Sequence, residues 1–173
     1  DLQNIKLKDK LTLNNVIESL KEYALKKNMQ IRTNYQLSEN LSVLGNEDEL
    51  VQVFTNIIDN SIKYGKINSS IDIKAEEVKE QTDQSEDKKL FPQLILKISV
   101  KDESDGIHAK HLSRLTERFY RVDAARSKEI GGTGLGLTIV KHILNKHRGH
   151  LDIKSEINQG STFTVELPIA PIS

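Results

Sequence analysis

The sequence predicts an α+β fold, a two-layer sandwich in which helices cover one face of a mixed, mostly antiparallel sheet. Apolar residues recur every three or four positions in some segments and every second position in others, as they do in helices and strands respectively. A glycine-rich loop also runs directly into a helix pattern. At 173 residues, the chain has the length of one domain with a substantial core.

The N-terminal half alternates between helix and strand patterns. The expected elements are helices from Thr12 to about Asn28 and from Glu47 to about Lys63, and short strands at 29–35 and 41–44. Thr12 can cap the first helix. Asn46 is a typical cap for the second, and Glu49 can reach back to complete a capping box.

In the C-terminal half, Ile71, Ile73 and Ala75 alternate with polar residues and should pair with a strand at 94–100. The connection 76–89 contains one apolar residue and six acids, so we expect a mobile charged insertion there. After a helix at 138–146, two last strands should pair around a turn containing Asn158 and Gly160. The paired residues are Leu151 and Ile153 with Phe163, Val165 and Leu167.

Composition excludes several classes of function. Lys plus Arg and Asp plus Glu both total 25, so no overall basic field favours nucleic acid or an anionic membrane. The absence of cysteine excludes disulfides, thiolate zinc sites and cysteine nucleophiles, and fits a cytoplasmic location. No apolar run approaches the ~20 residues of a membrane span. Because the chain begins at Asp1 without Met, we expect it to be part of a longer protein.

The segment Gly131 to Leu137 reads Gly-Gly-Thr-Gly-Leu-Gly-Leu and opens the helix that follows. Glycines allow backbone N–H groups to approach phosphate oxygens, and the helix N-terminus adds a partial positive charge. The pattern therefore indicates a polyphosphate site, although a glycine-rich hinge without a ligand would look the same.

The helix after Asn46 carries a polar stripe, formed by Gln52, Asn56, Asn60 and Lys63, on an otherwise apolar surface. A solvated face is one explanation. Asn is a poor helix former, however, and its amide oxygen is a hard ligand for Mg²⁺, while a lysine ammonium can neutralise phosphate. The alternative is therefore a site for Mg²⁺ and phosphate.

Two further segments suggest a base pocket and a lid. Asp102 ends a strand before the turn that leads to Gly106, where its carboxylate can accept a hydrogen bond from a base amine. A surface turn is the alternative. The segment 117–123 places Phe119 and Tyr120 between two arginines, which suits a mobile lid from which Arg121 reaches phosphate, or an ordinary docked surface segment.

These segments together resemble the catalytic, ATP-binding domain of sensor histidine kinases, in the GHKL superfamily with the Bergerat-type fold. The motifs occur in the family's order: an N box at 56–64, a first glycine box at 102–107, an F box at 117–123, a second glycine box at 132–137 and a last box at 160–163. The amino-acid sequence of residues 118–136 is similar to that of kinases of the phosphate-sensing type.

The resemblance implies ATP and Mg²⁺ as ligands. Asn60 is the implied metal ligand with Asn56 beside it, and Asp102 is the implied partner of the adenine amine. Asn56, Asn60, Lys63 and Arg121 are the residues expected to serve catalysis. The other nucleotide contacts that it implies are Tyr64, Gly106, Ile107, Tyr120, Gly132, Thr133, Gly134, Leu135, Gly136, Leu137 and Thr162, the last supporting Asp102 or a water at the base.

Two features depart from the family pattern. The family's phosphoacceptor is a histidine followed by an acid, whereas the five histidines here are followed by Ala, Leu, Ile, Arg and Leu. The acceptor is therefore expected outside this chain. Ser104 stands where the first glycine box normally has Gly, and a residue with positive φ there would cost on the order of 1 kcal/mol or more.

The function that we expect is transfer of the γ-phosphoryl group of ATP to a histidine on a separate domain, for two-component signalling. Residues 1–10 would end an upstream dimerisation and phosphoacceptor domain, 11–170 would form the catalytic domain, and 171–173 a tail. The implied partners are that domain and a response regulator, and no contact with nucleic acid or membrane is expected for this segment. The parent is expected to be a homodimer, with an anchor in a bacterial inner membrane as one location that the resemblance allows.

Two other functions compete with this one. An ATP-hydrolysing relative would need a general base, and Asn56 stands where such relatives carry Glu. A degenerate docking domain with weak or no ATP binding is suggested only by Ser104.

Overall fold

A computed structural model describes residues 2–6, 12–80, 94–107, 109–112, 114 and 136–170. The helices in this part of the chain are α1 (Thr12–Lys26), α2 (Glu47–Tyr64), α3 (Ala109–Leu112) and α4 (Gly136–Lys146). The strands are β1 (Gln3–Lys6), β2 (Gln30–Gln36), β3 (Ser42–Gly45), β4 (Ser70–Lys79), β5 (Leu94–Asp102), β6 (His150–Glu156) and β7 (Gly160–Pro168).

Five strands form the main sheet in the order β2-β4-β5-β7-β6. Only β2 and β4 run parallel, so the sheet is mixed and mostly antiparallel, as predicted. The expected pairing of β4 with β5 is confirmed by Ile73 opposite Val100, and that of β6 with β7 by Leu151 opposite Val165. Burial alternates along these strands, which gives the sheet one apolar face for the helices.

Helix α2 lies between α1 and α4 in the helical layer. Its apolar residues point in several directions, and Val53, Ile57, Ile58 and Ile62 are completely buried. Each such side chain contributes about 1.5–3 kcal/mol when it leaves water. The same helix keeps Asn56, Asn60 and Lys63 half-buried rather than fully exposed. The polar stripe therefore does not behave as an ordinary solvated face.

Several sequence expectations need correction at the boundaries. Residues 3–6, which we assigned to an upstream helical domain, form β1, pair with β3 and bury Ile5 in the core of this domain. Strand β4 continues to Lys79, so residues 76–79 are not part of a loop. The rest of the expected insertion, 81–89, lies outside the described residues.

The two expected helix caps differ in outcome. The Asn46 side chain accepts a hydrogen bond from the Glu49 N–H at 3.0 Å, as predicted. Glu49 itself does not complete the capping box, because its carboxylate is paired with Lys146 at 2.9 Å. Thr12 is the first helical residue, and its buried hydroxyl has no hydrogen-bond partner within the described residues.

Lys27, just after α1, caps the opposite end of α2. Its Nζ donates hydrogen bonds to the carbonyl oxygens of Ile62 (2.6 Å), Lys63 (3.0 Å) and Gly65 (2.7 Å). These carbonyls lie at the helix C-terminus, where intrahelical partners run out and the helix dipole favours a cation. Lys27 therefore fixes the end of the helix that lies beside the first glycine box, where Gly65 forms a β-bridge with Ser104.

We expect Lys27→Met to lower the free energy of unfolding by about 1–3 kcal/mol, because several carbonyls lose a charged donor in a half-buried environment. Lys26→Met, the same substitution at the exposed neighbouring residue, is the matched control and should change stability by less than about 0.5 kcal/mol. Urea denaturation of both variants measures this. Equal losses for the two lysines would show that the contacts of Lys27 with α2 contribute nothing specific.

Candidate nucleotide-binding site

Helices α2 and α4 pack antiparallel through three polar contacts. The Asn56 side-chain amide donates to the Gly136 carbonyl at 3.3 Å, near the start of α4. At the other end, Lys146 is paired with Glu49, and the Asn46 N–H donates to His147 Nε2 at 3.0 Å. Asn56 of the N box is therefore adjacent to Gly136, one of the two described residues of the second glycine box.

This arrangement brings the N-terminus of α4 to the polar stripe of α2. The first N–H groups of a helix have no intrahelical partners and carry a partial positive charge, which attracts phosphate. Asn60 follows Asn56 by one turn on the same side of α2 and is also half-buried. The amides of α2 and the N-terminus of α4 form one polar region suited to a metal-bound polyphosphate.

Lys63 is engaged differently from our expectation of a phosphate contact. Its Nζ is paired with the Asp59 carboxylate at 2.9 Å, one turn back on the same helix. Burial favours the neutral amine, but the hydrogen bond and charge of Asp59 together outweigh it and raise the pKa of Lys63. Lys63 thus stays a cation at neutral pH, held by Asp59. Tyr64, the last residue of α2, is half-buried.

Asp102 ends β5 with only 3% of its surface exposed. The Ser161 N–H donates to its Oδ1 at 3.1 Å, and none of the ion pairs among the described residues involves it. Burial raises the pKa of Asp102, while hydrogen bonds from Ser104, Ser161 and Ser61 partly oppose this. A buried carboxylate without a cation is costly unless a ligand supplies further donors.

Ser61 of α2 adds a second under-satisfied group beside this carboxylate. Its side chain is completely buried, and it is close enough to lower the pKa of Asp102. Its Oγ nevertheless has no partner with acceptable hydrogen-bond geometry in the described part of the chain. Proximity alone does not make a hydrogen bond, so the Ser61 hydroxyl retains unused hydrogen-bonding capacity.

The loop after Asp102 is held between α2 and the β6–β7 turn. On one side, Gly65 and Ser104 form a β-bridge, and the Lys66 N–H donates to the Glu103 carbonyl at 2.9 Å. On the other side, Gly106 has φ +77°, and a Cβ there would lie 2.0 Å from the Glu156 carbonyl oxygen. Only glycine fits such a position. This loop, residues 103–107, is called the base loop below. Its position is thereby fixed relative to α2 and to the β6–β7 turn.

Ser104 does not carry the backbone strain that we expected. Positive φ angles at non-glycine residues of the described chain occur at Asn28, Asn68, Arg148 and Asn158, and Ser104 is not among them. Its side chain is buried, and its Oγ accepts a hydrogen bond from the Gly106 N–H at 3.3 Å. The strain argument for a degenerate site is therefore wrong.

The partner of Asp102 in the last box is Ser161, not Thr162 as we expected. Ser161 lies opposite Asp102 in the β5–β7 pairing, whereas Thr162 lies opposite the exposed Lys101. Successive side chains of a strand point to opposite faces, so Thr162 is on the far side of the sheet from Asp102.

The remaining predicted residues divide into two groups. Ile107, whose N–H donates to Ser155 Oγ at 2.7 Å, and Leu137 both pack with the core cluster. The other expected contacts lie outside the described residues: Tyr120, Arg121, Gly132, Thr133, Gly134 and Leu135. Sequence reasoning missed Ser61, Ser155 and Ser161. The available signals were that Ser61 lies within the N box and that Ser161 directly follows Gly160 in the last box.

The sequence matches the family of histidine kinase-, DNA gyrase B- and HSP90-like ATPases over residues 45–171. The chain belongs to this family. It is 41% identical over 131 residues to the phosphate regulon sensor protein PhoR of Pseudomonas aeruginosa, and 41% over 121 residues to the sensor protein SrrB of Staphylococcus aureus. These alignments cover 75% and 70% of this chain, but only 26% and 18% of the relatives' lengths.

Solved structures show the same fold. A mycobacterial sensor histidine kinase, MprB, superposes with a TM-score of 0.75 at 19% identity, over 99% of this chain and 100% of that one. Full-length ShkA, solved in complex with AMPPNP, gives 0.75 at 23% identity, over 100% of this chain and 32% of that one. The chain is therefore an ATPase-type domain of this family, similar in sequence to sensor proteins and in fold to solved sensor histidine kinases.

The described residues contain no group of three His, Cys, Asp or Glu side chains arranged to hold a metal ion. No helix among them is long and apolar enough to cross a membrane.

We expect Asp102→Asn to stabilise the nucleotide-free chain at pH 7. Burial raises the pKa of Asp102, so its ionised form opposes folding. That cost is absent below the unfolded-state pKa of about 4 and grows as the pH rises towards the folded-state pKa. The melting-temperature advantage of the variant should therefore shrink between pH 7 and pH 4.

The control for this prediction is Asp72→Asn, at an exposed carboxylate on β4 that is paired with Arg32 at 2.7 Å. This variant should show no gain at pH 7. Destabilisation of Asp102→Asn by the same amount at both pH values would contradict the view that the carboxylate is retained for a ligand.

Proposed function

We propose that this chain binds Mg²⁺–ATP and transfers its γ-phosphoryl group to a histidine on a separate domain of the same parent protein. The adenine amine would donate to Asp102, and the phosphates would lie between the Asn56–Asn60 stripe and the N-terminus of α4. The observation that carries the proposal is that α2 contributes to both ends of one site. The complex of ShkA with AMPPNP supports nucleotide binding by this fold.

The spacing along α2 fits one extended ligand. Ser61, next to Asp102, is five residues beyond Asn56, which contacts Gly136 at the start of α4. At 1.5 Å per residue, the two points are about 7.5 Å apart along the helix axis. A ribose would bridge this interval, with the base at the Asp102 end and the phosphates at the Gly136 end.

The oxygen chemistry suits magnesium. Asn60 offers a neutral amide oxygen, which is a hard ligand, and the phosphates and water can supply the remaining oxygens. Bound Mg²⁺ would neutralise charge on the β- and γ-phosphates during transfer. This chain's residues would contribute position and electrostatics, with Asn60 orienting the metal and the α4 N-terminus holding phosphate. Contacts from Tyr120, Arg121 and residues 132–135 remain part of the proposal.

The acceptor would lie on another domain. His147, the most enclosed histidine of the described chain, has both ring nitrogens engaged, since Nε2 accepts from Asn46 and Nδ1 bonds the Ile143 carbonyl at 2.8 Å. Both relatives are sensor proteins several times longer than this chain, which leaves room for such a domain. A response regulator would then take the phosphoryl group from that histidine.

Hydrolysis of ATP is a weaker alternative. A hydrolytic relative needs a base beside the γ-phosphate, and the Asn56 amide cannot accept a proton from water at neutral pH. The NH₂ group of Asn56 also donates a hydrogen bond to the Gly136 carbonyl.

The test supplies γ-labelled ATP and Mg²⁺ to this chain together with the separately purified acceptor domain of its parent. We expect label on the acceptor histidine and none stably on residues 1–173. Asn60→Ala should reduce Mg²⁺-dependent transfer on the order of 10²-fold, because an electrostatic contact is lost in the transition state. ATP binding without metal should persist.

The matched control is Gln52→Ala, which removes an exposed amide two turns earlier on the same stripe. It should retain transfer within about twofold. Full Mg²⁺-dependent activity of Asn60→Ala would overturn the metal assignment, and a stable phosphohistidine within this chain would overturn the separate acceptor.

A further inference from the structure

Ser155 on β6 lies at the centre of a hydrogen-bond network beside the Asp102 carboxylate. Its Oγ accepts from the Ile107 N–H at 2.7 Å and donates to the Gly160 carbonyl at 3.0 Å. It also lies 2.8 Å from Ser161 Oγ. One hydroxyl thus joins the base loop to both the turn and the strand that contact Asp102.

The hydrogen bond to Gly160 sets the direction of this network, because a carbonyl oxygen can only accept. A serine hydroxyl has one proton to donate and two lone pairs to accept with. Because Ser155 donates to Gly160 and accepts from Ile107, its second lone pair must accept the proton of Ser161. Every hydrogen-bonding position of Ser155 is then used, and chains of this kind strengthen one another.

The network ends at the carboxylate. Ser161, 4% exposed, donates its backbone N–H to Asp102 Oδ1 at 3.1 Å, while its hydroxyl points to Ser155. Ser104 extends the network, since its Oγ lies 3.5 Å from Ser161 Oγ and accepts from Gly106. The orientation of Asp102 and the path of the loop after it both depend on the same hydroxyl.

We propose that Ser155 is a positioning residue for recognition of the base amine, a role that rests on the nucleotide binding proposed above. Ser155 would not touch the nucleotide. It holds Ile107 and Ser161 so that the Asp102 carboxylate faces the exocyclic amine of adenine. The alternative is a purely structural hydroxyl, whose loss would affect folding but not the discrimination between bases.

The experiment compares two ligands, ATP and purine riboside triphosphate, which lacks the 6-amino group. We expect Ser155→Ala to weaken ATP binding about fivefold, the size of one net hydrogen bond. Binding of the amine-free nucleotide should change by less than about twofold. Ser155→Thr keeps the hydroxyl on a strand position that favours β-branched residues and should restore the preference for ATP.

Two further measurements separate positioning from general loss of stability. Amide exchange at Ile107 should accelerate in Ser155→Ala and return towards the original rate in Ser155→Thr. Ser99→Ala is the matched control, since it removes a half-buried serine hydroxyl from β5 on the opposite face of the sheet from Asp102. It should leave both nucleotide affinities and the Ile107 exchange rate unchanged.

The outcomes distinguish this proposal from the proposed function. If the unmodified chain bound both nucleotides equally, the adenine assignment of Asp102 would be wrong and the role of Ser155 would fall with it. If the unmodified chain preferred ATP but Ser155→Ala weakened both ligands equally, or neither, only the role of Ser155 would be overturned. Unchanged Ile107 exchange in Ser155→Ala would also overturn it.

Discussion

The fixed position of helix α2 is the constraint on which the site depends. The helix is held at its start by the hydrogen bond from the Asn46 N–H to His147 and at its end by the lysine cap of Lys27. Between these points it is buried against the sheet and the neighbouring helices. Because both ends are anchored, Asn56 keeps its place against α4, and Ser61 keeps its place against Asp102. A shift of α2 along its axis would disturb both ends of the site together.

The buried surroundings of Asp102 and Ser61 destabilise the folded chain rather than stabilise it. Asp102 is buried without a cation, and the Ser61 hydroxyl beside it has no hydrogen-bond partner among the described residues. Both arrangements cost free energy in the empty chain, and both would be relieved by a ligand that donates hydrogen bonds. Strain was expected instead at Ser104, where the backbone is ordinary. In the proposed site, the unfavourable feature is therefore unmet hydrogen bonding at a buried group, not distorted backbone geometry.

Local sequence signals predicted most of the elements, because helical spacing, strand alternation and the Asn46 cap act over a few residues. The family resemblance added the prediction that Asn56, Asn60, Asp102 and the second glycine box form one site. The local signals failed where the structure depends on distant partners. The strand at residues 3–6 exists because it pairs with β3, and the Lys27 cap joins residues 35 to 38 positions apart. We expected Thr162 in the last box to support Asp102, but the neighbouring residue Ser161 makes that contact. Adjacent residues of a strand have side chains on opposite faces of the sheet, so a shift of one residue exchanges the two faces.

The central claim is that a single nucleotide spans α2, with its base at Asp102 and its phosphates at Asn60 and the α4 N-terminus. A crystal structure of the chain with Mg²⁺ and a non-hydrolysable ATP analogue tests this most directly. The account predicts the exocyclic amine within about 3.2 Å of an Asp102 carboxylate oxygen and the metal on the Asn60 side-chain oxygen. A base bound away from Asp102, or a metal held without Asn60, would contradict it.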